Sequence, residues 1–127
     1  DPKGWIQAEN IAHHLETEPV GAIYSSPLPR CVETVTPLAT SLGTEVRIDV
    51  RLSEGSPLDA AWSPIEEASG ETVVLCSHGD VIPELIARNQ QRGMRICEPS
   101  GFSKGSVWKL QGWDGTRFAK GSWTKLR

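Results

Sequence analysis

The sequence predicts an α/β domain with a mostly parallel sheet and a C-terminal antiparallel hairpin, and two observations lead there. Short apolar runs rich in strand formers alternate with stretches whose apolar residues recur at helical spacing, the order that builds parallel strands joined by crossover helices. The tail then changes style, with two strand-like segments flanking Asp114-Gly115, a dipeptide suited to a tight hairpin turn.

Each element follows from local chemistry. Trp5, Ala8, Ile11, Ala12 and Leu15 fall at the spacing of an amphipathic first helix. A strand is expected from Val20 to Tyr24, ending at Ser25-Ser26-Pro27 because Pro27 has no N–H to give a ladder. The next helix runs from Pro29 to Leu42, with Gly43 as its stop. Glu45 to Val50 alternates as a half-buried strand does, and a loop with Gly55 and Pro57 leads to a helix from Leu58 to Ala68. Thr72 to Ser77 is continuously apolar, which predicts burial on both faces, as in the middle of a parallel sheet. A helix from Val81 to about Gln91 leaves from His78-Gly79-Asp80. Val107 to Gly112 and Arg117 to Thr124 form the closing hairpin. Residues 1–127 thus read as a single domain, without internal repeat or linker.

Composition narrows the function. The 127 residues suffice for one core but not comfortably for two. With 38% hydrophobic and 23% charged residues the balance is that of a soluble globular protein. A net charge of -3, with scattered basic residues, argues against nucleic-acid and membrane-surface partners. Cys31, Cys76 and Cys97 show neither a disulfide framework nor zinc-ligand spacing, so three reduced thiols are expected. No apolar run has the length of a membrane span and Asp1-Pro2-Lys3-Gly4 does not open a signal peptide. A cytoplasmic location is the expectation.

Ligands of open α/β sheets gather outside the carboxyl ends of the strands. Two segments lie there: Ser25 to Arg30 after one strand, Ser77 to Asp80 after another. Neighbouring strands would bring Arg30 and His78 to one cleft. A guanidinium offers fixed donors to phosphate at any working pH, and His78 can donate to phosphoryl oxygens. The Gly79 amide, opening a helix, adds a donor and the positive end of the helix dipole. The alternative is plain: a hydrogen-bonded structural histidine and a solvated arginine.

Four segments bear on that choice. Ser25-Ser26-Pro27-Leu28-Pro29-Arg30-Cys31-Val32-Glu33-Thr34 resembles the stretch of the histidine phosphatase (phosphoglycerate-mutase-like) superfamily in which S-x-L-x-R precedes x-x-E/Q-T. Val73 to Gly79 is similar to its V-V-x-x-S-H-G, and Pro2 to Ala8 to the L-T-x-x-G-x-x-Q-A that opens its first helix. Phe102 to Trp108 resembles the segment before the closing hairpin, particularly in the phosphohistidine-phosphatase-like branch fused to MutT-type Nudix domains in actinobacteria. The matches run in the family's order along almost the whole chain.

That resemblance implies a three-layer sandwich in which Arg30 is a phosphate-binding arginine and His78 the second active-site histidine. Glu54 stands near where many members place a proton-donating carboxylate; several small members lack such an acid, and a solvated loop glutamate is the alternative. No metal or other cofactor is implied, since cationic side chains neutralise the phosphate. The implied partners are a phosphorylated small molecule or a phosphohistidine protein, with a fused or associated Nudix domain.

The family's signature, a first and central strand ending in Arg-His-Gly whose histidine attacks phosphorus, has no counterpart here. His13 and His14 fall in the first helix, where adjacent positions point about 100° apart. The expectation is therefore a partial domain that is inactive as given. Its nucleophile would lie upstream of Asp1, or a second copy in a homo-oligomer would fill the missing strand. A phosphatase acting on a phosphomonoester, phosphohistidine or nucleotide is one reading; a non-catalytic phosphate-binding or regulatory module is the other. A serine hydrolase is set aside, because neither Ser77 nor Ser106 sits in a Gly-x-Ser-x-Gly elbow.

Overall fold

The computed structural model describes residues 2–126; Asp1 and Arg127 lie outside the described residues. Helix α1 (Pro2–Leu15) buries Ala8, Ile11 and Ala12 on one face, as their helical spacing demands. Strand β1 (Ala22–Ser25) is followed by helix α2 (Pro29–Leu42). Leu28 enters α2 in extended geometry and Pro29 takes a first-turn position, where the missing N–H has no intrahelical partner to lose. Gly43 ends α2 in the left-handed region (φ 70°) and donates to Ala39 O and Thr40 O, closing the last turn's open carbonyls.

Strand β2 (Val46–Ile48) is shorter than the expected 45–50, because the chain turns into a 3-10 helix at Val50–Leu52. The Asp49 carboxylate accepts from the Arg51 N–H and caps that turn. The Arg51 guanidinium bridges Asp49 and Glu67 of helix α3 (Leu58–Ala68), so the turn is tied to the helix behind it. Strand β3 (Val73–Cys76) and helix α4 (Ile82–Gln91) follow as the sequence predicts. Strands β4 (Arg95–Cys97), β5 (Ser106–Gln111) and β6 (Lys120–Lys125) complete the chain.

The strands form two three-stranded sheets. One is fully parallel, in the order β2-β1-β3. In the other, of order β4-β6-β5, β6 pairs parallel with β4 and antiparallel with β5. Helices lie on both faces. On one side α1 and α2 enclose Ala12, Ile23, Val35, Leu38 and Ala39, with Val74 and Cys76 packed against them. On the other, Ala61, Trp62, Ile65, Val81 and Leu85 of the α3 and α4 side take in Leu75, Trp113 and Phe118. The α/β three-layer expectation is met, with the sheet divided.

One expectation is met and another needs correcting. β3 is covered on both faces, as its apolarity predicts, and with all four residues half-buried it forms an edge of its sheet, as expected where the resembling fold carries its central strand. It pairs with β1 alone, so its other side lacks a neighbouring strand among the described residues. The Asp114-Gly115 pair does not make a tight hairpin, since Gln111 pairs with Lys120 and residues 112–119 form the connection. Asp114 Oδ1 instead accepts from the Thr116 and Arg117 amides, a side-chain-closed turn. That longer excursion lets Trp113 and Phe118 reach the core.

Candidate functional site

β1 and β3 are hydrogen-bonded neighbours, pairing Ser25 with Cys76 at their carboxyl ends. The residues just beyond those ends therefore meet. Ser26 is buried, its amide donates to Cys76 O, and its Oγ lies 2.8 Å from His78 Nε2. The Leu28 amide donates to the same oxygen at 3.3 Å. The hydroxyl is thus held between a backbone donor and the imidazole, with its role toward Nε2 set by the ring tautomer.

The opposite ring nitrogen faces a carboxylate. His78 Nδ1 is 3.9 Å from Glu54 Oε2; the histidine side chain is 12% exposed and the glutamate 75%. Two contacts position that loop. Asp80 Oδ2 accepts from the Gly55 amide at 2.8 Å, and Ser77 Oγ donates to Leu52 O at 2.7 Å. Ser77 and His78 thus point to different partners, as adjacent residues at a strand end do. Ser26, Pro27, Leu28, Pro29, Ser53, Glu54 and His78 line a cleft of about 390 Å³.

A thiol lies behind the imidazole. Cys31, on the first turn of α2 and buried, has its Sγ 3.8 Å from His78 Nε2 and 3.8 Å from Ser77 O. The Cys76 thiol hydrogen-bonds it and holds it down to about 6; burial opposes this, while His78, Ser26 and Arg30 assist. The Cys76 thiol, donating to Cys31 and buried, is correspondingly pushed up. All three cysteines are free.

Of the residues expected from sequence, His78 and Glu54 meet in this cleft. Arg30 is exposed on the first turn of α2 beside Cys31 and is not among the seven cleft-lining residues. Gly79 is also exposed, with nothing within 4 Å of a notional Cβ. It does not open α4: His78 O accepts from the Val81 and Ile82 amides, so the turn closes first and Val81 caps the helix. His13 and His14 are exposed on α1. Arg92 lies over the Trp62 ring and donates to Thr116 O, which is a packing role. Ser26 and Cys31 lie within the S-x-L-x-R stretch, and nothing local in the sequence signals their contacts with His78. Among the described residues no group of three or more His, Cys, Asp or Glu gathers as a metal site, and no helix is long and apolar enough to cross a membrane.

The structure is an α/β sandwich with a histidine at one strand end, a serine at the next and a carboxylate across the cleft. Comparison with known proteins shows what it is similar to. Residues 1–61 match the family model described as the histidine phosphatase superfamily (branch 1). The chain is 32% identical over 120 residues to an 8-oxo-(d)GTP phosphatase of Mycolicibacterium smegmatis, spanning 91% of this chain and 37% of that protein. A structure titled mycobacterial hydrolase 1 matches in fold, with a TM-score of 0.66 and 20% identity over 96% of this chain and 82% of that one. The first 61 residues thus resemble the histidine phosphatase superfamily, and the chain shares its fold with a mycobacterial hydrolase.

Proposed function

We propose that this domain takes part in phosphoryl transfer from a phosphomonoester, and that His78 steadies the phosphoryl group during transfer. The observation that carries this is the strand-end constellation, with His78 Nε2 2.8 Å from Ser26 Oγ and Nδ1 3.9 Å from Glu54 Oε2. A ring held at Nε2 by the buried Ser26 hydroxyl keeps a preferred orientation toward the cleft, and preorganised donors stabilise charge that develops in a transition state. Arg30 supplies the second cation, its side chain swinging from the first turn of α2 to the phosphate. Glu54, exposed and facing the cleft, protonates the leaving oxygen when the leaving group needs it.

The nucleophile is a histidine carried on a strand added beside β3, and it passes through a phosphohistidine intermediate. That strand comes from the chain's own upstream segment or from a second copy. Resemblance to an 8-oxo-(d)GTP phosphatase favours a nucleotide phosphate as substrate. The chain spans 37% of that relative's length, which leaves room in the whole protein for a partner domain such as a Nudix fold. A phosphate-binding module without turnover is the second reading, favoured by the exposure of His13 and His14 away from the cleft.

The deciding experiment is hydrolysis of a generic aryl phosphate by this chain, by the chain lengthened upstream, and by His78→Ala and Arg30→Ala in both. Turnover only in the longer form, lost with either substitution, supports the enzyme. Phosphate binding without turnover in either form supports the module. Turnover indifferent to His78 and Arg30 overturns both.

A further inference from the structure

We infer that Pro27, Leu28 and Pro29 form the leaving-group subsite of the cleft, and that it takes an uncharged leaving group with a flat apolar face, such as an aryl ring or a nucleoside. This rests on the phosphoryl reading of His78 and goes beyond it by naming what departs from phosphorus. The cleft, of about 390 Å³, has the size of a small-molecule site.

The lining is the first observation. Pro27, Leu28 and Pro29 are consecutive, apolar and exposed, and they share the cleft with His78 and Glu54. Leu28 is 42% exposed, and of the large hydrophobic side chains left exposed among the described residues it alone lines this cleft. Apolar surface of this kind gains when a ligand takes it out of water. The second observation is that the wall is already shaped. A proline on either side of Leu28 fixes the local φ. Leu28 itself is extended (φ -61°, ψ 129°), and its amide donates to Ser26 Oγ at 3.3 Å. That same oxygen lies 2.8 Å from His78 Nε2, so the wall keeps its place relative to the imidazole. A ligand lying on it has little side-chain ordering to offset.

Charge is the third. Among the seven lining residues His78 alone can carry positive charge. In the reading above it is committed to the phosphoryl group, with Arg30 joining from α2. What is left for the leaving group is Glu54, which either donates a proton or carries negative charge, and in neither state attracts an anion. A second phosphate or a carboxylate on the leaving group would stand there without a cation of its own, and its desolvation would go uncompensated. In the transfer, the ester P–O bond breaks while the bond from phosphorus to the nucleophile forms. The electron pair stays on the ester oxygen, the Glu54 proton joins it, and an uncharged phenol or alcohol leaves along the wall. For a nucleotide this selects the ester bond of a nucleoside monophosphate. It disfavours the anhydride bonds of di- and triphosphates, whose leaving group is itself a phosphate.

The test is binding, which needs no turnover. Phenylphosphonate, methylphosphonate, methylenediphosphonate and benzyl alcohol are titrated into this chain and into the chain lengthened upstream, with NMR of the Leu28 methyls and the His78 ring. Phenylphosphonate is expected to move both sets of resonances and to bind about tenfold tighter than methylphosphonate, the factor that burial of a few ring carbons gives. Methylenediphosphonate binds more weakly than phenylphosphonate, and Leu28→Ser brings phenyl- and methylphosphonate toward equal affinity. Phosphonates that move His78 but bind equally well in the native chain overturn the apolar subsite and leave the phosphoryl reading standing. Methylenediphosphonate binding tightest overturns the preference for an uncharged leaving group. Leu28 methyls that no aryl compound moves, in either form of the chain, overturn the wall. Binding of benzyl alcohol alone overturns the phosphoryl reading, and the leaving-group role falls with it.

Discussion

Ser26 is the residue through which β1 fixes the imidazole of β3's terminus. Its Oγ accepts from the Leu28 amide and touches His78 Nε2, and the residue is buried. Ser26→Ala removes that partner without adding volume, and a buried polar group left unpaired costs about 1–3 kcal/mol. The expected outcome is a lower urea midpoint together with broadened His78 ring resonances. Unchanged resonances would show that the ring is held by Glu54 or by packing instead. Cys31 makes a second expectation. Its folded value is depressed to about 6, well below that of an ordinary thiol, so deprotonation favours the folded chain. That contribution is fully present above the ordinary thiol value and is lost as pH falls through about 6. Denaturation midpoints across pH 5 to 9 should therefore diverge between the native chain and Cys31→Ala in the upper half of that range. Parallel curves would sink the assignment. The sequence could place His78 and Glu54 at one cleft because both follow strand ends in the expected order, whereas Arg30 stays exposed outside its lining. The Ser26 and Cys31 contacts could not be placed, because each joins residues about fifty positions apart through the β1–β3 register.

Helices α2 and α3 begin and end where the sequence predicts, because their signals are local: Pro29 at the start of one, Gly43 just after it, and apolar spacing between. β4 went unpredicted. Its three residues, Arg95–Cys97, are too few for a period, and they become a strand only by pairing with β6. The hairpin connection is longer than Asp114-Gly115 predicts for a related reason. Asp114 closes its own turn with Thr116 and Arg117 amides, while burial of Trp113 and Phe118 decides how long the excursion is. Two glycines separate backbone strain from crowding. At Gly43 (φ +70°) an added Cβ meets nothing within 4 Å, whereas at Gly112 (φ +77°) it would lie 2.9 Å from the Ala119 Cβ. Gly43→Ala should thus cost about 1 kcal/mol for left-handed geometry alone. Gly112→Ala should cost at least about 2 kcal/mol, since overpacking adds to the same strain. Chemical denaturation of the two variants measures the difference, and equal losses would mean that the connection relaxes around residue 112.

The whole molecule is organised around two facing layers of helices that serve both sheets. Gln7 of α1 lies against Gly105 at the start of β5, and Glu18, just after α1, pairs with Lys109 of β5 at 2.8 Å. On the other face Leu75 of β3 shares a cluster with Trp113 and Phe118 of the connection between β5 and β6. Both sheets are therefore held between the same layers, while β3 and β5 each end their own sheet. Apolar strand edges of this kind invite pairing with another segment. The amides of Val73 to Cys76 that point away from β1 are accordingly expected to exchange with solvent much faster than those bonded to β1. Lengthening the chain upstream should slow the fast set and leave the slow set unchanged, because a strand added beside β3 supplies carbonyls on that side only. If a second copy supplies the strand instead, the same protection appears as concentration rises, and it is accompanied by dimer in sedimentation. Fast exchange that persists in the long form and at high concentration would end the added-strand account, and with it the proposed source of the nucleophile. The phosphate contacts proposed for His78 and Arg30 would then have to act without a covalent intermediate.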